Sequence, residues 1–240
     1  MAIRAVLWDI DDTLFDYARA DHAGMRAHLA TEGLCGGYAS VEQALGRWKE
    51  LTVLHWRRFE AGGVDFLDQR RERVRDFLGE PGMAPEAADR WYERYVAHYE
   101  AAWELFPDAV PVLDLLARDY RHGVLSNSSI LNQDHKLRAL GVRDRFEAVL
   151  CAAELGVAKP AAEAFHAACT ALGLAPGEVA YVGDHPDIDA RGAAEAGLLG
   201  IWLDRADGGG RPELHRITGL DQLPGVLRGH TRFGAPGTIG

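Results

Sequence analysis

The sequence is short of cysteine, of long apolar runs and of positive charge, and each shortage removes a class of protein. Cys35, Cys151 and Cys169 are the only cysteines in 240 residues. They are widely spaced, odd in number and without a CxxC pair, so neither a disulfide framework nor a zinc site is indicated, and buried reduced thiols are expected. No stretch reaches the ~20 consecutive apolar residues that span a bilayer. The opening Met1-Ala-Ile-Arg-Ala-Val-Leu-Trp-Asp9 meets a carboxylate too soon for a signal peptide, so a cytoplasmic location is expected. Lys plus Arg number 26 against 36 Asp plus Glu, a formal charge of −10. That balance opposes the large positive surface which a nucleic-acid polymer or an anionic membrane would require, and neither is expected as a partner. Oligomeric state is not encoded in any of these features.

What the chain does have is 48% hydrophobic and 26% charged residues, enough to bury a sizeable core. Its length suits one large domain or two small ones. Residues 3–8, 122–126, 148–151, 179–183 and 199–203 are short apolar runs rich in strand formers, of the kind that parallel sheets bury on both faces. Helix-like segments separate them, with Asp108 as a candidate cap, Pro160 suited to a first turn, and Gly141, Gly173 and Gly197 as stops. This alternation predicts βαβ units and a doubly wound parallel α/β sheet.

The segment between the first two strands differs. It is rich in Ala, Leu, Arg, Glu and aromatics, with a capping pattern at Ser40-Val-Glu-Gln43 and turn signals at Gly36-Gly37, Gly62-Gly63 and Pro81-Gly82. About four helices are expected there, closing a small bundle whose core would take most of Trp48, Trp56, Phe59, Trp91, Tyr92, Tyr95, Tyr99 and Trp103. The expected division is a core of residues 1–15 and 105–228, an inserted bundle of residues 16–104, and a flexible tail from 229 to 240. A last strand pair near 216–218 and a short helix near 220–227 would complete the core.

The chemistry concentrates in Asp9-Ile10-Asp11-Asp12-Thr13, where a strand ends in three carboxylates within four positions. Two carboxylates ~4 Å apart repel by about 4 kcal/mol at an effective dielectric near 20, so a cation or a proton must sit among them. A single aspartate at such a place would merely cap a turn. Here a second acidic cluster, Gly183-Asp184-His185-Pro186-Asp187-Ile188-Asp189, also follows a buried strand. Both would lie at carboxyl ends of parallel strands, where open α/β sheets bind ligands. Ser126-Asn127 closes the strand that begins at His122, and Lys159-Pro160 lies between the next strand and its helix. Acids, a hydroxyl, an amide and an ammonium group together suit Mg²⁺ and a phosphoryl group.

In this ordered set, Asp9-x-Asp11-x-Thr13, Ser126, Lys159 and Gly183-Asp184 with Asp189, the chain resembles the haloacid dehalogenase (HAD) superfamily over nearly its whole length. The resemblance implies a Rossmann-like core with a helical C1 cap placed over the active site, hinged near residues 14–17 and 103–107. It further implies that Asp9 is a nucleophile forming an aspartyl-phosphate, and that Asp11 is general acid, then base. Ser126, the Asn127 amide and Lys159 would bind phosphoryl oxygens. Mg²⁺ would be held by Asp9, Asp11 (through its carbonyl), Asp184 and, with less weight, Asp189, which could instead hold Lys159. Thr13 would organise the loop.

Two departures stand out. Asp12 occupies a position where glycine is frequent. Ile188 sits where a polar residue often precedes the last acid, leaving open how Asp189 is oriented and whether Asp187 substitutes. Tyr17, His55, Arg57 and Arg58 are the specificity candidates in the insertion, and His185 is a candidate contact beside Asp184. The expected function is a Mg²⁺-dependent phosphatase of a small phosphorylated metabolite. Alternatives are a phosphotransferase or phosphomutase of the same fold, a 2-haloacid dehalogenase-like hydrolase, and a non-catalytic regulatory module. Family members that cleave carbon–halogen bonds lack an acid at the position of Asp11, which disfavours the dehalogenase.

Overall fold

A computed structural model describes residues 2–33, 37–60 and 62–233, so Cys35 lies outside the described residues. The chain divides into two compact units, residues 1–16 with 104–240, and residues 17–103.

In the first unit, six strands form one parallel sheet in the order β3-β2-β1-β4-β5-β6: β1 (Ala5–Trp8), β2 (Arg121–Ser126), β3 (Ala148–Cys151), β4 (Val179–Gly183), β5 (Leu199–Leu203) and β6 (His215–Ile217). All residues of β1, β4 and β5 are buried. Such complete burial suits runs with no polar face, as in parallel sheets covered on both sides. One layer is carried by Leu7, Leu125, Phe165, Ala168 and Tyr181. Cys151 and Cys169 are buried free thiols, with pKa values that burial raises to about 12 and about 11.

Four helices make the second unit: α1 (Tyr17–Glu32), α2 (Val41–Glu60), α3 (Phe66–Leu78) and α4 (Pro85–Ala101). Their shared core contains Met25, Trp48, Phe77, Trp91 and Tyr95. Gln43 N donates to Ser40 Oγ at 3.1 Å at the start of α2, and α3 begins with Asp68 N donating to Asp65 Oδ1 at 2.7 Å. These bonds satisfy amide groups that have no partner inside their helices.

The remaining helices belong to the first unit: α5 (Ala109–Leu116), α6 (Ile130–Ala139), α7 (Ala152–Leu155), α8 (Ala162–Ala171), α9 (Gly192–Glu195) and α10 (Leu223–Phe233). Three expectations need correction. The Asp108 side chain does not cap α5; Arg205 and the Leu220 amide draw its carboxylate away. Pro160 precedes α8 rather than entering its first turn, in a cis Lys159–Pro160 peptide. The helix near residue 220 continues as α10 to Phe233, because Leu223 and Leu227 give it a buried stripe. Residues 229–233 are therefore helix rather than tail, and 234–240 lie outside the described residues. No helix among the described residues is long and apolar enough to cross a membrane.

Candidate active site

Strand order reverses on either side of β1, so the ends of β1 and β4 open the crevice where doubly wound sheets bind ligands. Trp8 pairs with Val182, and Asp9 N donates to Val182 O at 2.9 Å. The acids that follow the two strands are thereby neighbours. Ser126 ends β2 on the other side of β1.

Lys159 is the hub. Its buried ammonium donates to Asp9 Oδ1 at 2.7 Å, Asp189 Oδ1 at 2.7 Å and Tyr181 Oη at 2.6 Å. Tyr181 in turn donates to Leu125 O at 2.8 Å. The Lys159 backbone is fixed by the Asn127 side chain, whose Oδ1 accepts from Lys159 N at 2.8 Å and whose Nδ2 donates to Lys159 O at 2.9 Å. Burial works against the lysine's charge, but Asp189 and Asp9 outweigh it and hold its pKa well above the ordinary value.

One oxygen from each of Asp9, Asp184 and Asp189 lies within 4.8 Å of the others. Burial is the largest cause that raises Asp9 to about 7; Lys159 opposes it, while Asp189 and Asp11 add to it. Asp184 is raised to about 8, again first by burial and then by Asp9 and Asp189. One ammonium does not relieve this crowding. An all-carboxylate set of hard oxygens fits a divalent cation such as Mg²⁺ or Ca²⁺ and suits softer metals poorly.

The Asp11 carboxylate does not join that cluster. It accepts from Gln133 Nε2 at 2.8 Å and from Lys136 Nζ. Gln133 Nε2 also donates to Ser126 Oγ at 3.1 Å. Between these acids Asp12 adopts a left-handed φ of 58°, which explains why glycine suits that position and why aspartate is tolerated there. Thr13 is fully buried, its carbonyl accepting from Arg205 at 2.8 Å.

The second acidic loop is a π-helical turn, Pro186–Arg191, a wide turn often found at functional sites. His185 caps it: Nδ1 accepts from Asp187 N at 3.3 Å and Ile188 N at 3.2 Å. His185 N donates to Asp189 Oδ2 at 3.0 Å. Asp189 is thus oriented by Lys159 and a backbone amide, and Ile188 leaves no gap for Asp187 to fill. Asp187 instead pairs with Arg191 at 2.6 Å and Arg211 at 2.8 Å.

Tyr17, Arg57 and Arg58 belong to the helical unit. Tyr17 packs edge-on against Tyr99 with ring centroids 6.0 Å apart. Arg58 is engaged with Glu72 at 2.5 Å, and Arg57 is exposed on α2. His55 is buried and bonds Asp76 at 2.9 Å, an internal contact of the bundle. Sequence reasoning missed Gln133, Lys136, Tyr181 and Arg205. The available signal was polar residues on a buried stripe, since Gln133 and Lys136 share the inward face of α6 with Leu137.

Carboxylates and a buried lysine thus gather at the switch point of a parallel sheet, the place where α/β enzymes bind their ligands. A family model described as haloacid dehalogenase-like hydrolase matches residues 3–197, and the chain belongs to that family. It is 34% identical over 232 residues to the phosphoserine phosphatase of Thermus thermophilus, covering 88% of this chain and 91% of that protein. It is 30% identical over 219 residues to the glyceraldehyde 3-phosphate phosphatase of Methanopyrus kandleri, covering 85% and 84%. Among solved structures, YfnB of Bacillus subtilis bound to magnesium superimposes with a TM-score of 0.78 at 22% identity, covering 95% of this chain and 99% of that one. The 2-haloacid dehalogenase of Pseudomonas syringae superimposes with a TM-score of 0.68 at 28% identity, covering 95% and 99%.

Proposed function

We propose that this chain is a Mg²⁺-dependent phosphomonoesterase acting on a small phosphorylated metabolite through an aspartyl-phosphate. The observation that carries the reading is the Asp9–Lys159–Asp189 bridge at the end of β1, with Asp184 beside it and Asp11 two residues on. The named phosphatase relatives support the same reaction class. Mg²⁺ held by Asp9, the Asp11 carbonyl, Asp184 and, with less weight, Asp189 would supply positive charge opposite the phosphoryl oxygens.

An Asp9 oxygen attacks phosphorus as the ester P–O bond breaks, and the departing oxygen takes its electron pair and a proton from the Asp11 carboxyl. Water then attacks the phosphorus of the aspartyl-phosphate. Asp11 accepts the water's proton, the Asp9 O–P bond breaks, and inorganic phosphate leaves. Lys159, Ser126 and the Asn127 amide bind the phosphoryl oxygens, where charge builds in the transition state. Thr13 shapes the loop that presents Asp9, and His185 shapes the turn that presents Asp189. Arg57 and Tyr17 are the remaining specificity candidates of the helical unit.

The test is phosphate release from p-nitrophenyl phosphate. Turnover is expected with Mg²⁺, to be lost with EDTA, and to fall by about 10³-fold or more in Asp9→Asn; undiminished turnover in that variant contradicts the assignment. The 2-haloacid dehalogenase is the competing reading within the family. Asp11 weighs against it, and chloride release from 2-chloropropionate is expected to be absent.

A further inference from the structure

We propose that Lys136 and Gln133 are positioning residues that clamp the carboxylate of Asp11 and tie it to Ser126; this rests on the phosphatase reading above. Each Asp11 oxygen receives its own donor, Oδ2 from Gln133 Nε2 at 2.8 Å and Oδ1 from Lys136 Nζ. The same Gln133 amide group reaches Ser126 Oγ at 3.1 Å. The general acid and a phosphate-binding hydroxyl are thereby set in one fixed relation by a single side chain.

The cost of this arrangement argues that it serves the site. Gln133 is fully buried and Lys136 is 6% exposed, and burying an amide and an ammonium is unfavourable unless both are partnered. They stand at i and i+3 on the inward face of α6, beside Leu137, where apolar residues would pack without penalty. The lysine also lies 4.3 Å from the Phe15 ring centroid. Phe15 pairs with Asp11 across the acidic loop, so the clamp and the loop are one packed unit. Asp11 itself is partly solvent-exposed. Two donors, one on each oxygen, fix the plane of its carboxyl group, and transfer of a proton to a leaving oxygen depends on its place to within about 1 Å.

This role has a signature that a merely structural one lacks. Proton donation matters more when the leaving group is a stronger base, so the comparison is phenyl phosphate against p-nitrophenyl phosphate, two esters of nearly the same shape. In Lys136→Met the ratio of kcat/KM for phenyl phosphate to that for p-nitrophenyl phosphate is expected to fall by about tenfold relative to wild type. Lys136→Arg, which keeps a donor on the same oxygen, should restore most of the ratio. Gln133→Leu should show the same skew and serves if Lys136→Met does not fold. A folded Lys136→Met or Gln133→Leu that lowers both substrates in equal proportion, or neither, overturns the clamp while leaving the phosphatase intact. Wild-type protein that hydrolyses neither ester overturns both.

Discussion

Lys159 holds the reactive end of the sheet together because three oxygens converge on one ammonium. Two belong to carboxylates and the third to the Tyr181 hydroxyl. Tyr181→Phe removes an acceptor from the lysine and leaves the Leu125 carbonyl without its donor. The expected loss is about 1 kcal/mol of stability in denaturant unfolding, with kcat reduced roughly tenfold as the lysine shifts by a fraction of an ångström. Unchanged kcat in a folded Tyr181→Phe enzyme would show that Lys159 is placed by the carboxylates alone. The acids and Lys159 were legible in the sequence because each closes a buried strand or the loop after one. Tyr181, Gln133 and Lys136 were not, since they join the site only through tertiary contacts between segments far apart in the chain. His185 and Arg58 are residues of reactive type that also hold local structure, His185 Nδ1 capping the π-helical turn and Arg58 pairing with Glu72.

Among the elements, the π-helical turn is pressed hardest against the sheet. A Cβ added at Gly200 in β5 would lie 1.9 Å from Ala190 O, and one at Gly183 would lie 2.3 Å from Asp189 Oδ2. Gly200→Ala is therefore expected to destabilise by about 1–3 kcal/mol, as overpacking does. Gly46, exposed within α2, has open space around its missing Cβ, so Gly46→Ala should stabilise by about 0.5–1 kcal/mol. Thermal melts of the two variants test both signs; equal shifts would mean that the close approach at β5 relaxes without cost. Strand positions were readable because burial on both faces leaves continuous apolar runs. The extent of α10 was not, because Gly225 and Gly229 mask a stripe that only packing reveals, and Asp108 read as a cap because Arg205 lies almost a hundred residues away.

At the scale of the whole molecule, each unit carries a buried histidine that must stay neutral. His28 in the helical unit and His122 in the sheet unit are both lowered from 6.5 to about 4, in each case chiefly by burial. Trp8 Nε1 donates to His122 Nδ1 at 3.0 Å, a bond that requires the neutral ring. Between pH 6.5 and 4 the unfolded chain binds protons that the folded chain refuses, so stability falls as pH falls through that window. Neither ring nitrogen of His28 has a hydrogen-bond partner, and His28→Leu should match wild type near pH 7 and become the more stable protein by on the order of 1–2 kcal/mol near pH 4.5. Parallel stability curves would deny His28 that part in acid unfolding. The central claim concerns the acids at the switch point, and it is tested most directly by acid-quenching the wild-type enzyme with Mg²⁺ and p-nitrophenyl phosphate within its first turnover, then mapping the phosphoryl group by mass spectrometry. The expected result is one phosphoryl group on the peptide containing Asp9, absent in Asp9→Asn; turnover with the phosphoryl group on another residue, or with full activity retained in Asp9→Asn, would contradict the account.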